Sequence, residues 1–154
     1  MKNNTYKKQN NKYCFSDFMS LIHILVILGH KKIPLTSKQI AANANINPVK
    51  VRSILQALKP TGWIETTHGI KGGYSLNIEL NKIQLHQLLE VLDLALVSNS
   101  WASGFADSEC IISRNIASVQ QDLINSLNNA ISEELKKINL EEIEQKIIKK
   151  EQDE

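Results

Sequence analysis

"LTSKQIAANANINPVKVRSILQALKPTGWIETTHGIKGGYSL", residues 35–76, decides how this 154-residue chain folds. Thr36 or Ser37 can cap a short helix that buries Ile40, Ala41 and Ala44. After a turn at "NIN", Asn47 caps a further helix with Pro48 at its first position, where proline does least harm. Val51, Ile54, Leu55 and Leu58 then form an inner face at helical spacing, and Pro60 is expected to end the helix sharply. Two short helices joined by a tight turn describe a helix-turn-helix, a pattern that any small helical bundle can also produce. The residues after Gly62 make it specific. "WIETT" and "YSLN" are strand-like runs around a glycine-rich tip, so helices leading directly into a hairpin predict a winged helix. Gly69, Gly72 and Gly73 would allow positive φ and close approach of backbone to a phosphate or groove wall, with His68 and Lys71 as donors nearby. An ordinary β-turn, in which glycine serves geometry alone, is the alternative.

Upstream, "MKNNTYKKQNNK" lacks any apolar period and reads as the start of a basic arm over residues 1–15. A first helix is expected from a cap at Ser16 to a stop at Gly29 or His30, with Phe18, Leu21, Ile22, Leu25, Val26 and Leu28 on its apolar face. Its run "FMSLIHILVIL" comes after several lysines and has the length of a signal-peptide core, but "GHKKIPLTSK" after it offers no small-x-small cleavage site. The run is also too short to span a bilayer. A buried helix in a cytoplasmic protein, with no membrane partner, is the expectation. Two widely separated cysteines, Cys14 and Cys110, match no disulfide framework and suit a reducing compartment.

Charge divides the chain. Residues 1–82 hold twelve Lys or Arg against three acids, a surplus of +9, whereas the remainder holds six against thirteen, −7. A basic N-terminal half fits a polyanionic partner, although surface charge can also segregate without function. No nucleophile-base pair or phosphate loop is apparent: "GIKGG" lacks the P-loop spacing, and His23 lies within an apolar helix run. An enzyme is not expected.

The early helix, residues 35–76 and the subsequent "NKIQLHQLLEVLD" together resemble the Rrf2 family of bacterial transcription regulators. That family's wing reads Arg-Gly-x-x-Gly-Gly-Tyr, and "HGIKGGY" at 68–74 matches it at every position but the first. The resemblance implies a dimer binding a palindromic operator in double-stranded DNA. It also implies, in many members, sensing of iron-sulfur status, nitric oxide or oxidants through three loop cysteines after the fourth helix. This chain has only Cys110 there, in "DSECIIS", so the cluster-free branch is the better match and no cofactor or metal is expected. Cys110 lies near a helix start, which lowers a thiol's pKa, while Asp107 and Glu109 oppose that; a sensor thiol and a structural cysteine both remain open.

Beyond the loop, Ile112, Ile116, Val119, Leu123, Leu127, Ile131, Leu135 and Ile138 recur at steps of three or four over about seven turns. Such a stripe could pair with its two-fold mate, or fold as a hairpin with "LEEIEQKIIKK" of the same chain. The expected architecture is mainly α with a small β-hairpin. It comprises an arm (1–15), a winged helix-turn-helix (16–96), a sensor-like loop (97–111) and dimerisation helices (112–150). The dimer seam would use Ile112, Ile116, Val119, Leu123, Leu127 and Ile131.

The expected function is that of a homodimeric repressor, thiol-responsive through Cys110; a winged-helix protein-interaction module is the alternative. Expected DNA contacts are Asn47, Val49, Lys50, Arg52, Ser53 and Gln56 in the major groove, Arg52 and Gln56 on bases and Lys50 on phosphate. Thr36, Ser37 and Lys38 would anchor the backbone, and His68, Lys71, Gly72, Gly73 and Tyr74 would present the wing.

Overall fold

The computed structural model describes residues 12–153, so most of the basic arm, residues 1–11, lies outside the described residues. Helix α1 (Phe15–Lys31) is followed by α2 (Ser37–Ala44), α3 (Pro48–Leu58), a hairpin of β1 (Ile64–Thr67) and β2 (Gly73–Leu76), α4 (Leu85–Val91), α5 (Ile111–Leu135) and α6 (Leu140–Gln152). This is the mainly α, winged-helix arrangement expected from residues 35–76.

The two ends of α1 differ from the sequence expectation for physical reasons. Its cap is Cys14, not Ser16, because Asp17 at the third helical position folds back and accepts the Cys14 backbone N–H at 2.8 Å. Tyr13, assigned to the arm, is buried beside it. At the other end the helix runs through Gly29 and stops at Lys32, which takes the left-handed conformation at φ 51° and donates its N–H to the Leu28 carbonyl. Gly29 is a packing residue instead. A Cβ there would stand 2.6 Å from Cγ of Leu80, on the 3-10 turn Leu80–Lys82 that crosses the helix.

Local signals set α2 and α3 as read. The Thr36 hydroxyl accepts the Gln39 N–H at 3.2 Å while the Gln39 side chain accepts the Thr36 N–H at 2.8 Å, closing a capping box. Asn47 caps α3 by accepting the Val49 N–H at 2.8 Å. The helix ends at Leu58, and Thr61 in the adjoining 3-10 turn donates to the Leu58 carbonyl, 2.7 Å. Leu21, Ile24, Leu25 and Leu28 of α1 meet Ile40, Val51, Ile54, Leu55 and Leu58 in one core, joined by Ile83, Leu88 and Leu140, all essentially without solvent contact.

The C-terminal helices part company. Leu140 enters the core, and α6 packs on α1 and on the Leu80–Lys82 turn, while its contact with α5 is slight. Backbone bonds from Leu85 N–H to Ile138 and from Leu140 N–H to Ile83 carry the chain back to the winged-helix body. Helix α5 contains no buried residue and rests mainly on α4. The intrachain hairpin of α5 with α6 is therefore absent, and α6 belongs to the body more than to a C-terminal pair. Helix α5 ends at Leu135, three residues before Ile138, the last apolar position of the expected stripe. Residues 97–110 run back along α5: the Asn128 amide accepts the Val97 N–H (3.0 Å) and donates to its carbonyl (2.8 Å), and Gln120 reaches Ser103 (2.9 Å). Among the described residues no helix is long and apolar enough to cross a membrane.

Candidate DNA-reading surface

Helix α3 turns Val51, Ile54, Leu55 and Leu58 inward, which leaves Val49, Arg52 and Gln56, at steps of three and four, exposed along one outer stripe. Asn47 stands exposed at the helix start with its amide oxygen occupied by the cap. Arg52 and Gln56 are thus free to reach outward, as base readers must. Thr36 and Lys38 are exposed and Ser37 half-buried at the start of α2, where its free backbone N–H groups gather.

Two of the expected contact residues are otherwise engaged. The ammonium of Lys50 forms an ion pair with Asp17, whose side chain is 1% exposed, and the Ser53 carbonyl accepts the Tyr13 hydroxyl at 3.0 Å. Burial pushes the Asp17 carboxyl up. Lys50 and the backbone and thiol of Cys14 outweigh it and hold the carboxyl below its ordinary value, so it stays charged. The Tyr13 and Asp17 contacts were not legible from spacing, because they join residues more than thirty positions apart. One signal was present in the sequence: an acid inside the apolar face of α1.

The wing is a two-stranded antiparallel ribbon with Ile64 opposite Leu76 and Thr67 opposite Gly73. Its tip is a turn closed by Gly72 N–H to the Gly69 carbonyl, 3.0 Å, with Gly69 at φ +104°, a conformation that suits glycine. Gly72 does not take positive φ; it is close to the Thr67 carbonyl instead. His68, Ile70 and Lys71 are exposed on the tip, and Tyr74 is half-buried at its base. There Leu35 and Tyr74 exchange backbone hydrogen bonds of 2.9 and 2.8 Å, tying the wing to the segment that caps α2. A Cβ on Gly73 would lie 2.5 Å from the Leu35 carbonyl carbon, so this register depends on glycine. Gly73→Ala is expected to prise the wing from Leu35, lowering the thermal midpoint and weakening binding to any duplex. A variant with unchanged melting and unchanged affinity would show that the wing does not need this contact.

Cys110 is the N-terminal cap of α5 and is exposed. The amides of Ser113 and Ile112 lie close enough to hold its thiol below the ordinary value, although it closes no cap hydrogen bond. Those amides outweigh the small opposing effect of desolvation. Among the described residues no three His, Cys, Asp or Glu side chains converge as a metal site would require.

A helix-turn-helix whose outer stripe is free, flanked by a wing with a basic tip, is the arrangement of a DNA-reading domain. Residues 16–146 match the family model of Rrf2, described as an iron-dependent transcriptional regulator. The chain belongs to the Rrf2 family. Rrf2 proteins regulate transcription, and DNA is their partner.

Among solved structures, this Rrf2 protein is similar to a candidate transcriptional regulator from Lactobacillus plantarum at 23% identity, covering 89% of this chain and 97% of that one, with a TM-score of 0.75. It is similar to IscR of T. potens at 17% identity, 88% of each chain and a TM-score of 0.64. CymR, the global cysteine regulator of B. subtilis, matches at 20% identity over 86% of this chain and 96% of its own, with a TM-score of 0.62. At such identities these likenesses speak for the fold. No curated protein matches the chain.

Proposed function

We infer that this Rrf2 protein is a non-enzymatic, sequence-specific repressor that binds a palindromic operator as a homodimer, carries no iron-sulfur cluster and responds to oxidation through Cys110. The free stripe Val49, Arg52, Gln56 on α3, standing beside the docked wing, is the observation that carries the DNA reading. The N-terminal half supplies the positive charge that phosphate neutralisation needs. We assign the major groove to Asn47, Val49, Arg52 and Gln56, the backbone to Thr36, Ser37 and Lys38, and the wing contacts to His68, Lys71 and Gly72. Gly73 and Tyr74 hold the wing's base.

The homodimer rests on α5. Ile111, Ile112, Val119, Leu123 and Leu127 are exposed on a helix that its own chain covers only in part, and a two-fold mate would bury them in an isologous seam. Two-fold symmetry in the protein then asks for two half-sites a whole number of turns apart, ~10 bp per turn.

The family's description speaks of iron, yet the donor set here does not fit an iron-sulfur cluster. Clusters take about four ligands, commonly thiolates, whereas this chain has two cysteines, one capping α1 and the other capping α5. The lowered pKa of Cys110 points to thiol chemistry instead. Mild peroxide is expected to lower operator affinity in the wild type and in Cys14→Ser but not in Cys110→Ser, whose basal binding is retained. Equal peroxide sensitivity in wild type and Cys110→Ser would make Cys110 a structural residue.

Selection of sites from random DNA, with binding then measured across a salt gradient, tests the whole reading. Enrichment of an inverted repeat with salt-sensitive affinity is expected. Absence of both would leave a protein-interaction module.

A further inference from the structure

Asp17 is the one buried charged residue among the described residues, with Oδ2 held by hydrogen bonds and Oδ1 by an ion pair alone. Oδ2 accepts the Cys14 backbone N–H at 2.8 Å and the Cys14 thiol at 3.3 Å, and Oδ1 faces the ammonium of Lys50 on α3. Three residues further along the same helix, on the same flank, the Ser53 carbonyl takes the hydroxyl of buried Tyr13. The foot of α1, Tyr13 to Asp17, therefore grips α3 at two successive points next to the stripe of Val49, Arg52 and Gln56. By helical spacing alone Lys50 is a surface cation at the start of the reading helix, where a phosphate contact is expected. Its side chain remains 40% exposed, but the charge it faces is a carboxylate almost without solvent contact, whose ionised form the ammonium favours together with the Cys14 backbone and thiol. Moving that ammonium to a phosphate would strand Asp17.

We propose that Asp17 is a positioning residue for DNA reading: it locks the pitch of α3 against the foot of α1 and withholds Lys50 from the DNA backbone. The proposal rests on the DNA-binding reading above. Affinity then draws its salt dependence from other cations, such as Lys38 and Lys71, while Lys50 contributes orientation.

Salt dependence separates these roles, because each phosphate contact adds about 0.9 to the slope of log affinity against log salt. The measurement uses full-length protein and a duplex selected from random DNA. Lys50→Met is expected to leave the wild-type slope unchanged. Asp17→Asn, which frees the ammonium, is expected to steepen it by about 0.9 and to lower the ratio of selected-site to random-duplex affinity, since the helix loses its lock. The double variant Asp17→Asn/Lys50→Met is expected to return to the wild-type slope. It leaves no unpaired buried ion, so it carries the comparison even where Lys50→Met alone fails to fold.

A double variant shallower than wild type by about 0.9 would place Lys50 on a phosphate and overturn the proposal. An Asp17→Asn slope equal to wild type, with an unchanged specificity ratio, would overturn it as well. Lys71→Gln, expected to flatten the slope whatever Lys50 does, reports on DNA binding itself. A wild type with no salt dependence at all would instead remove the DNA reading on which both rest.

Discussion

Leu123→Glu is expected to sediment as a monomer with unchanged helix content and to lose its grip on the operator. Leu123 is 60% exposed on α5 in the protomer, so a carboxylate there is hydrated and costs the single chain little. In the proposed seam the same carboxylate would face the apolar side chains of the mate. Burying an unpaired ion among them costs several kcal/mol unless it takes up a proton. Operator affinity is expected to fall with the dimer, because one reading helix holds one half-site and forgoes the second contact. The contrast between intact circular dichroism and halved mass is what distinguishes loss of association from loss of fold. A normally dimeric Leu123→Glu protein with full affinity would move the interface off α5.

Arg52→Ala is expected to weaken binding to the selected site by about 1–3 kcal/mol, roughly 5- to 150-fold, if the guanidinium makes a bidentate contact to a guanine. The loss should be concentrated at one position of each half-site, so that all bases there become nearly equivalent. Arg52 is exposed and has no ion-pair or hydrogen-bond partner among the described residues, so truncation leaves no buried group unsatisfied and melting is expected to stay within a degree or so of wild type. An Arg52→Ala protein with unaltered preference would transfer base reading to Gln56 and the wing.

The parts of the fold that could be read from sequence are those specified by neighbours in the chain. Thr36 with Gln39, and Asn47 with Pro48, announce helix starts within four residues, and the glycines at 69, 72 and 73 announce the wing in the same way. Where the reading missed, a distant partner had decided. Gly29 looks like a helix stop, yet Leu80 requires its missing side chain while the helix continues. Ser16 is the better cap by preference, yet Asp17 satisfies the N–H of Cys14 and moves the start. The same carboxylate pairs with Lys50, a contact that no periodicity could reveal. For α5 the apolar stripe was visible, but whether α6 covered it depended on Leu140, which is drawn into the body instead.

The lone standing of α5 also bears on how much of this protein a cell must make. With the pairing proposed above, each chain carries a complete reading head, but two must associate before an operator is held at both half-sites. At concentrations below the dissociation constant of the pair, the abundance of dimer rises with the square of the amount of chain, by mass action. Halving expression would then cut operator occupancy about fourfold in that range, and promoters under its control would switch over a narrower span of protein level than a monomeric reader could impose. An uncovered helix is, in this sense, a dosage gauge.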